Sequence, residues 1–194
     1  EVLDEHPVSI QVNGQWQTFP NARAAEEAAY GEYKDNLRRT AENFRITDDH
    51  LGEGGPKAKF QANIAAIKLL KYLEETTEQA TPEQQKILSR YVGWGGLADA
   101  FDPEKPAWAA EYTQLKELLT PEEYAAARSS TLNAHYTSPT VIRAIYETVG
   151  RMGFETGNIL EPSCGVGNFF GMLPEEMRNS RLYGVELDSI SGRI

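Results

Sequence analysis

Hydrophobic and polar residues alternate near the N-terminus of the chain, whereas most of the following sequence shows helical spacing. The alternation runs from Val8 to Phe19 around Asn13-Gly14, two turn residues that tolerate positive φ, and it predicts a β-hairpin. Residues Ala22 to Arg39 are rich in helix formers and carry charges throughout, which predicts a long solvent-facing helix. The first part of the chain is therefore expected to combine a small hairpin with one helix.

Helical patterns continue through the middle of the chain. Thr81 to Gln84 and Thr120 to Glu123 each have the sequence of a capping box with proline at the first helical position, so each predicts a helix start. Before them, apolar residues recur at helical spacing and are expected to face a core. These apolar residues are Phe60, Ile64, Ile67, Leu70 and Leu73.

The last part of the chain predicts an α/β arrangement. Ser138-Pro139 has the same form as the two earlier helix starts, and the helix that follows carries one apolar stripe. The stripe consists of Val141, Ile142, Ile145, Tyr146 and Val149. A strand ending near Glu161, a glycine loop, a helix and a second strand over Arg181 to Leu187 follow in order, as at the opening of a doubly wound α/β sheet.

These patterns divide the chain into three predicted regions. Residues 1–43 hold the β-hairpin and the long helix, residues 44–133 form a helical N-terminal region, and residues 134–194 contain the start of the sheet. The predicted fold class is α/β, with a helical N-terminal region and a small β-hairpin before the sheet.

Composition and charge narrow the classes of function. With 40% hydrophobic and 25% charged residues, the 194-residue chain is typical of a soluble globular protein. No apolar run approaches the roughly 18 residues of a membrane span, and the N-terminus lacks the shape of a signal peptide, so we expect a cytoplasmic protein with no membrane partner. The net charge of -10 argues against a chain that coats nucleic acid by itself, because nonspecific affinity comes mainly from Lys and Arg.

Cysteine and histidine usage predicts neither a disulfide nor a metal site. Cys164 is the single cysteine, which excludes an internal disulfide and a multi-cysteine metal site. No neighbouring base is present to activate it, so we interpret it as a small loop residue. His6, His50 and His135 are scattered without the spacing of metal ligands.

The segment from Ile159 to Gly171, ILEPSCGVGNFFG, has the glycines of a ligand-binding loop. Gly165 and Gly167 let the backbone turn tightly and approach a ligand, but the third glycine is displaced by one position from the dinucleotide spacing. Glu161 would repel a pyrophosphate and attract an ammonium or sulfonium group. Glu186 follows about 20 residues later, where a carboxylate accepts hydrogen bonds from a ribose diol. The best-fitting ligand has a ribose and a cationic end but no phosphate.

Adenine-specific DNA methyltransferases are the family that these C-terminal motifs resemble. Their S-adenosylmethionine-binding motif is similar to LEPSCGVGNFF, and their next, acidic motif is similar to LYGVELD. In the class where cofactor binding comes first in the chain, the motif that precedes these two resembles AHYTSPTVIRAIYETV.

The sequence before these motifs resembles the N-terminal region of very large methylase-helicase proteins carried on bacterial mobile elements. The segments that carry this resemblance are FRITDDHLGEGGPKAKFQANIAAIKLL and LSRYVGWGGLADAFD. Together the resemblances cover Phe44 to Ile194. They imply a truncated Rossmann-like class I methyltransferase sheet in residues 134–194, a DNA partner bound by the full-length protein, and a possible fused helicase region.

The resemblance also implies roles for single residues. The loop from Gly165 to Gly167 would pass beside S-adenosylmethionine, with Glu161 near its methionine end and Glu186 on its ribose hydroxyls. Asp188 or Leu187 would help to position the adenine. Tyr136, Thr137 and Pro139 would lie where the methionine carboxylate is held, at the start of the helix near Pro139, where free N–H groups and a positive dipole end attract it. The candidate cofactor-binding residues are Tyr136, Thr137, Pro139, Glu161, Pro162, Gly165, Gly167, Asn168, Phe169, Glu186 and Asp188.

One motif of the family is missing. Amino-methylating enzymes of this type share a later Asn/Asp-Pro-Pro-aromatic motif that holds the flipped target base, and no Pro-Pro pair occurs in these residues. We therefore assign no catalytic residue here and expect this piece to be inactive on DNA. The sequence begins with Glu1, and its first methionine is Met152, so we expect it to be an excerpt of a longer protein.

Each candidate feature has a simpler interpretation. Gly165 and Gly167 would also suit a tight strand-to-helix turn with no ligand, and Glu186 would suit a solvated strand end. For Tyr136 and Thr137, capping and packing stay as open as cofactor contact.

Three classes of function remain. The first is the cofactor-binding part of a DNA adenine methyltransferase, and the second is a noncatalytic scaffold or DNA-contact module of a helicase-like protein. The third, a nicotinamide dinucleotide domain, is disfavoured by Glu161 and the displaced glycine.

Two further glycine clusters are open to more than one interpretation. For Leu51 to Lys59 a flexible connector is favoured over a substrate loop. For Tyr91 to Phe101 both packing and base stacking by Trp94 are open.

Overall fold

The structure is a computed structural model that describes residues 7–12, 15–29, 31 and 44–194. The chain separates into two compact units, Glu1–Asn43 and Phe44–Ile194. Helices, one two-stranded antiparallel sheet and one two-stranded parallel sheet make up the described residues, so the α/β class is confirmed. None of the helices in these residues is long and apolar enough to cross a membrane.

The first unit contains the predicted hairpin. Strand β1 (Val8–Val12) pairs antiparallel with β2 (Gln15–Phe19), and Val12 lies opposite Gln15 in the register. This register leaves two residues between the strands, the loop length that the sequence predicted. The predicted turn residues Asn13 and Gly14 lie outside the described residues.

A helix follows the hairpin, and its described part is residues 22–29, which we call α1. The Asn21 side chain caps this helix, since its Oδ1 accepts a hydrogen bond from the Ala24 N–H at 2.9 Å. The remainder of the helix predicted up to Arg39 lies outside the described residues, apart from residue 31, which is helical.

The second unit begins with a group of helices around one core. The predicted apolar residues from Phe60 to Leu73 are all buried in this core, which confirms the helical spacing. The helices are α2 (Pro56–Thr76), α3 (Pro82–Leu88), α4 (Ala109–Leu118) and α5 (Pro121–Ser130), with 3-10 turns at Ala98–Phe101 and Pro106–Trp108.

Both predicted capping boxes are formed. At the start of α3, Gln84 N–H donates to Thr81 Oγ1 at 3.3 Å, and Thr81 N–H donates to Gln84 Oε1 at 2.8 Å. At the start of α5, the same reciprocal bonds join Thr120 and Glu123 at 3.2 and 3.0 Å. These bonds satisfy N–H groups that the first helical turn leaves free.

The aromatic residues of the Tyr91 to Phe101 segment belong to the core. The Trp94 side chain is 1% exposed and makes edge-to-face contacts with Phe60, Tyr91 and Phe101 at centroid distances of 6.1, 6.3 and 5.3 Å. Rings at this spacing attract one another in addition to excluding water. Of the two open interpretations, packing accounts for the position of the indole ring.

The other glycine cluster, Leu51 to Lys59, is a turn that leads into α2. Lys57 donates a hydrogen bond to the carbonyl oxygen of Ala107 at 2.6 Å and forms an ion pair with Glu111 at 2.7 Å. Its ammonium group also lies 4.0 Å from the centroid of the Trp108 ring. These contacts attach the first turn of α2 to the 3-10 turn at Pro106–Trp108 and to the first turn of α4.

The C-terminal part shows the predicted order of helix, strand, loop, helix and strand. Strands β3 (Asn158–Glu161) and β4 (Arg181–Gly184) pair in parallel, with Glu161 opposite Gly184 in the register. The predicted second strand extends to Leu187, but the observed strand ends at Gly184, because its partner ends at Glu161. The elements are α6 (Pro139–Arg151), β3 (Asn158–Glu161), α7 (Asn168–Gly171), β4 (Arg181–Gly184) and α8 (Ser189–Arg193).

A second, smaller core lies under α6. Ile142 and Tyr146 are buried there with Leu173 and Met177, and Ile159 and Leu182 of the two strands pack against them. The predicted apolar stripe of α6 is only partly covered by these contacts. Its members Val141 and Ile145 are 48% and 41% exposed.

Candidate functional site

A cavity of about 410 Å³ lies at the carboxyl ends of β3 and β4, beside the segment that precedes α6. This is the edge of a parallel sheet at which α/β proteins bind ligands, and the volume is in the range of small-molecule sites. Pro139, Pro162 and Gly167 from the predicted set do not line it. The predicted residues that do are Tyr136, Thr137, Glu161, Gly165, Asn168, Phe169, Glu186 and Asp188.

The glycine loop has a conformation that requires glycine. Gly165 and Gly167 have φ angles of 55° and 82°, in the left-handed region, and Gly167 N–H donates to the Cys164 carbonyl oxygen at 2.8 Å. A Cβ added to Gly165 would lie 2.7 Å from Cε1 of Tyr136. The sequence predicted a close approach of a ligand to this glycine, and in the structure the Tyr136 ring makes such an approach.

The third glycine of the pattern has a packing role. A Cβ on Gly171 would lie 2.8 Å from Cδ1 of Ile46, and Ile46 N–H donates to the Gly171 carbonyl oxygen at 2.9 Å. Contact with residues at the start of the second unit thus accounts for a glycine at position 171.

Glu186 fastens the glycine loop to the end of β4. Its Oε2 accepts a hydrogen bond from Gly165 N–H, and its Oε1 accepts one from Asp188 N–H, both at 2.8 Å. An ionised carboxylate has about four acceptor positions, so these two bonds leave capacity for further donors such as hydroxyl groups. No local sequence pattern indicates this contact between Glu186 and the loop backbone.

Glu161 lies half-buried at the end of β3. Within the described residues its carboxylate has no hydrogen-bond or ion-pair partner. Its charge acts on Tyr146, whose pKa is raised to about 12 mainly by burial and further by Glu161, while Arg45 acts in the opposite direction. A half-buried carboxylate without a counter-charge favours a cationic group in the cavity.

A polar network connects the segment before α6 with the start of α8. The Tyr136 hydroxyl lies 2.9 Å from Ser191 Oγ, and Asp188 Oδ2 accepts hydrogen bonds from the N–H and hydroxyl of Ser191 at 2.9 and 2.5 Å. Asp188 is thereby the N-cap of α8. Burial raises the pKa of the Tyr136 phenol, and the charges of Asp188 and Glu186 add to this effect. The Tyr136 phenol therefore stays neutral, and its hydroxyl is engaged with Ser191. It offers the cavity neither a charge nor a free hydroxyl.

The start of α6 differs from the two capping boxes. Pro139 is the first helical residue, as predicted, but the Ser138 side chain makes no capping hydrogen bond. The position that holds Gln or Glu in the two boxes is Val141 here, so the reciprocal bond cannot form. The expectation that this start has the same form as the other two is correct for the proline and wrong for the cap.

Cys164 shows no sign of nucleophilic activation. Its thiol is half-buried, and burial raises its pKa, with the charges of Glu186 and Glu161 raising it further. A raised pKa disfavours the reactive thiolate. In the part of the chain that the structure describes, no three His, Cys, Asp or Glu side chains are grouped as metal ligands.

One wall of the cavity comes from the helical region and was not predicted as part of the site. It includes Tyr91, Gly93 and Trp94 from the segment after α3 and Ser129 and Ser130 at the end of α5. A Cβ on Gly93, whose φ is 66°, would lie 2.6 Å from Cε2 of Tyr136. The aromatic and glycine residues of YVGWGG were the available signal, but only the folded chain places them beside Tyr136.

Comparison with known proteins gives two partial similarities. Defense against restriction protein B of Escherichia phage P1 is 26% identical over 143 residues, which cover 74% of this chain and 5% of that protein. Type II methyltransferase M.CvrRI of Paramecium bursaria Chlorella virus XZ-6E is 37% identical over 59 residues, which cover 30% of this chain and 15% of that protein. No protein-family model and no solved structure matches the chain. The chain thus has a weak local similarity to a methyltransferase and spans a small fraction of either relative.

Proposed function

We propose that the chain is the N-terminal and cofactor-binding part of an S-adenosylmethionine-dependent DNA methyltransferase that acts on the amino group of adenine. The observation that carries the proposal is a pair of carboxylates on one cavity, Glu161 at the end of β3 and Glu186 two residues after the end of the parallel strand β4. The local similarity to a type II methyltransferase supports it. In this proposal residues 134–194 are the first part of a Rossmann-like methyltransferase domain of a cytoplasmic protein.

The chemistry of the cavity fits such a ligand. Glu161 has no partner among the described residues, so it would balance the positive methionine end, and the remaining acceptor positions of Glu186 would take the ribose hydroxyls. Thr137, Asn168 and Phe169 line the same space. Two carboxylates on one cavity disfavour a pyrophosphate, which argues against a nicotinamide dinucleotide.

Methyl transfer itself would need residues that this chain does not contain. When bound, S-adenosylmethionine supplies an electrophilic methyl group, and the residues described here would hold and orient it, which is a large part of such a reaction. The pocket for the flipped adenine and most DNA contacts are assigned to the full-length protein, together with a possible fused helicase region. We assign no catalytic residue to this chain.

A noncatalytic scaffold or DNA-contact module of a helicase-like protein is the second candidate. It is favoured by the filled space beside Gly165, where the Tyr136 ring packs, and by the two backbone hydrogen bonds that Glu186 already accepts. Both contacts would hold the loop in a strand-to-helix turn without a ligand.

Calorimetric titration with S-adenosylmethionine and NAD separates the candidates. We expect S-adenosylmethionine to bind and NAD not to bind. Glu161→Gln should weaken S-adenosylmethionine about tenfold, because it removes the charge that faces the cationic end. Glu175→Gln is the matched control, since this exposed carboxylate pairs with Arg178 outside the cavity and its removal should leave affinity unchanged. Binding of NAD in place of S-adenosylmethionine would refute the proposal, and binding of neither would favour the scaffold.

A further inference from the structure

Three buried side-chain polar atoms in the described residues have no hydrogen-bond partner. They are the Tyr91 hydroxyl oxygen, Trp94 Nε1 and Asn168 Oδ1. All three residues line the cavity described above. Buried polar groups are almost always hydrogen-bonded in folded proteins, so three unpartnered atoms around one cavity indicate a ligand that supplies their partners.

Tyr91 and Trp94 are fixed from behind by the core. Each side chain is 1% exposed, and Trp94 is held by the rings of Phe60 and Phe101. Neither side chain can turn toward bulk water without breaking these contacts. Their donor groups therefore need partners that lie inside the protein or in the cavity.

Of the two polar side chains beside the Tyr91 hydroxyl, Ser191 is already engaged and Trp94 lacks a partner of its own among the described residues. Burial is the main cause that raises the pKa of Tyr91, and the charge of Asp188 adds to it, while the nearby Ser191 and Trp94 side chains act in the opposite direction. The Ser191 hydroxyl, however, bonds with Tyr136 and Asp188. This places Tyr91 at the edge of the polar network that connects the segment before α6 with α8.

We propose that Tyr91 and Trp94 are ligand-binding residues whose hydroxyl and indole N–H donate hydrogen bonds to acceptor atoms of bound S-adenosylmethionine. This inference rests on the proposed function and adds a wall from the helical region to the site. S-adenosylmethionine carries acceptors on both of its parts, the carboxylate on the methionine part and the ribose oxygens and adenine ring nitrogens on the nucleoside part. Its ammonium group is a donor of the kind that Asn168 Oδ1 lacks.

Tyr91→Phe tests the hydroxyl with the smallest change in shape. We expect S-adenosylmethionine to bind about three- to tenfold more weakly, the effect of one lost hydrogen bond. The melting temperature of the ligand-free variant should stay the same or rise, because the change removes a buried group that has no partner. If the Tyr91 hydroxyl instead stabilised the fold, Tyr91→Phe would lower the melting temperature of the ligand-free protein.

Tyr124→Phe is the matched control. The Tyr124 hydroxyl donates to the Phe101 carbonyl oxygen at 3.4 Å and does not line the cavity. Its removal should lower the melting temperature and leave the affinity for S-adenosylmethionine unchanged.

A second measurement follows Trp94 in the unaltered protein. On addition of S-adenosylmethionine, the indole N–H resonance of Trp94 should move downfield, whereas that of Trp108, which does not line the cavity, should move less. Repeating the titration with 5′-methylthioadenosine, which lacks the amino-acid part, identifies the acceptor. If Tyr91→Phe weakens the binding of both ligands, the acceptor lies on the nucleoside. If it weakens the binding of S-adenosylmethionine alone, the acceptor is the carboxylate.

The two proposals fail in different ways. If the unaltered chain binds neither ligand, the proposed function fails and the inference fails with it. If the unaltered chain binds S-adenosylmethionine, but Tyr91→Phe binds equally well and the Trp94 resonance stays in place, the inference alone is overturned.

Discussion

Gly165 combines three constraints at one residue. Its φ of 55° is in the left-handed region, its N–H donates to Glu186, and its Cα faces the Tyr136 ring. Gly165→Ala should therefore lower the free energy of unfolding by roughly 2–4 kcal/mol, because backbone strain and a clash with the ring add together. Urea denaturation measures this change.

Gly96→Ala separates strain from the clash. Gly96 has a similar φ of 74°, but no atom lies within 4 Å of an added Cβ. Its replacement should cost only about 1 kcal/mol, from the backbone alone. Equal losses for the two variants would mean that the Tyr136 contact adds nothing to the constraint at Gly165.

At the residue scale, the sequence predicted where residues lie along the strands better than which other residues they contact. Glu161 and Glu186 line one cavity, as their places at the ends of successive strands indicated. The contacts of Gly165 with Tyr136 and of Gly171 with Ile46 join residues far apart in the sequence. No local pattern encodes such pairs, and the motif alone therefore attributed both glycines to the ligand loop.

At the scale of elements, the helix starts follow from local chemistry. Thr120→Ala should lower the free energy of unfolding by about 1 kcal/mol, because the Thr120 Oγ1 accepts a hydrogen bond from the Glu123 N–H. Ser138→Ala is the paired comparison, since the Ser138 side chain makes no capping bond and its removal should cost almost nothing. Thermal melts of the two variants give the difference, and a loss at Ser138 as large as at Thr120 would contradict it.

Local sequence predicts some features of the helices and strands and not others. Both capping boxes were predictable because four consecutive residues contain all the atoms involved. The end of β4 was not, because the last residue of a strand depends on the partner strand. The apolar stripe of α6 likewise predicted a buried face, yet Val141 and Ile145 are exposed, because the burial of a helix face depends on what packs against it.

At the scale of the whole second unit, the helical region and the C-terminal segment share one core. Ile190 of α8 is buried in the same cluster as Phe60 and Trp94. Arg193, also in α8, bonds with Glu74 of α2 and Glu123 of α5. The sequence separates residues 44–133 from 134–194 by composition and motif, but these contacts span 70 and 119 positions and could not be predicted from it.

Glu123 is the centre of this link, and its titration makes the stability depend on pH. Burial alone would raise the pKa of Glu123, but hydrogen bonds from Lys71, the Thr120 N–H and Arg193 outweigh burial and lower it. Lys71 Nζ lies 2.9 Å from one carboxylate oxygen, and an Arg193 nitrogen lies 2.6 Å from the other. A carboxylate with a depressed pKa stabilises the fold above its unfolded pKa, and this contribution is lost as the pH falls through the folded value.

Comparing Glu123→Gln with the unaltered chain by urea denaturation at several pH values tests this. At pH 7 the variant should be less stable by about 1–3 kcal/mol, since Lys71 and Arg193 lose the charge of a buried partner. The difference should begin to shrink near the unfolded pKa of about 4.3 and vanish below the folded one. Glu104→Gln, at an exposed carboxylate with no side-chain partner in the described part of the chain, should show little difference at any pH. A gap between Glu123→Gln and the unaltered chain that stays constant from pH 7 to pH 3 would mean that the Glu123 charge does not join α8 to the helical region.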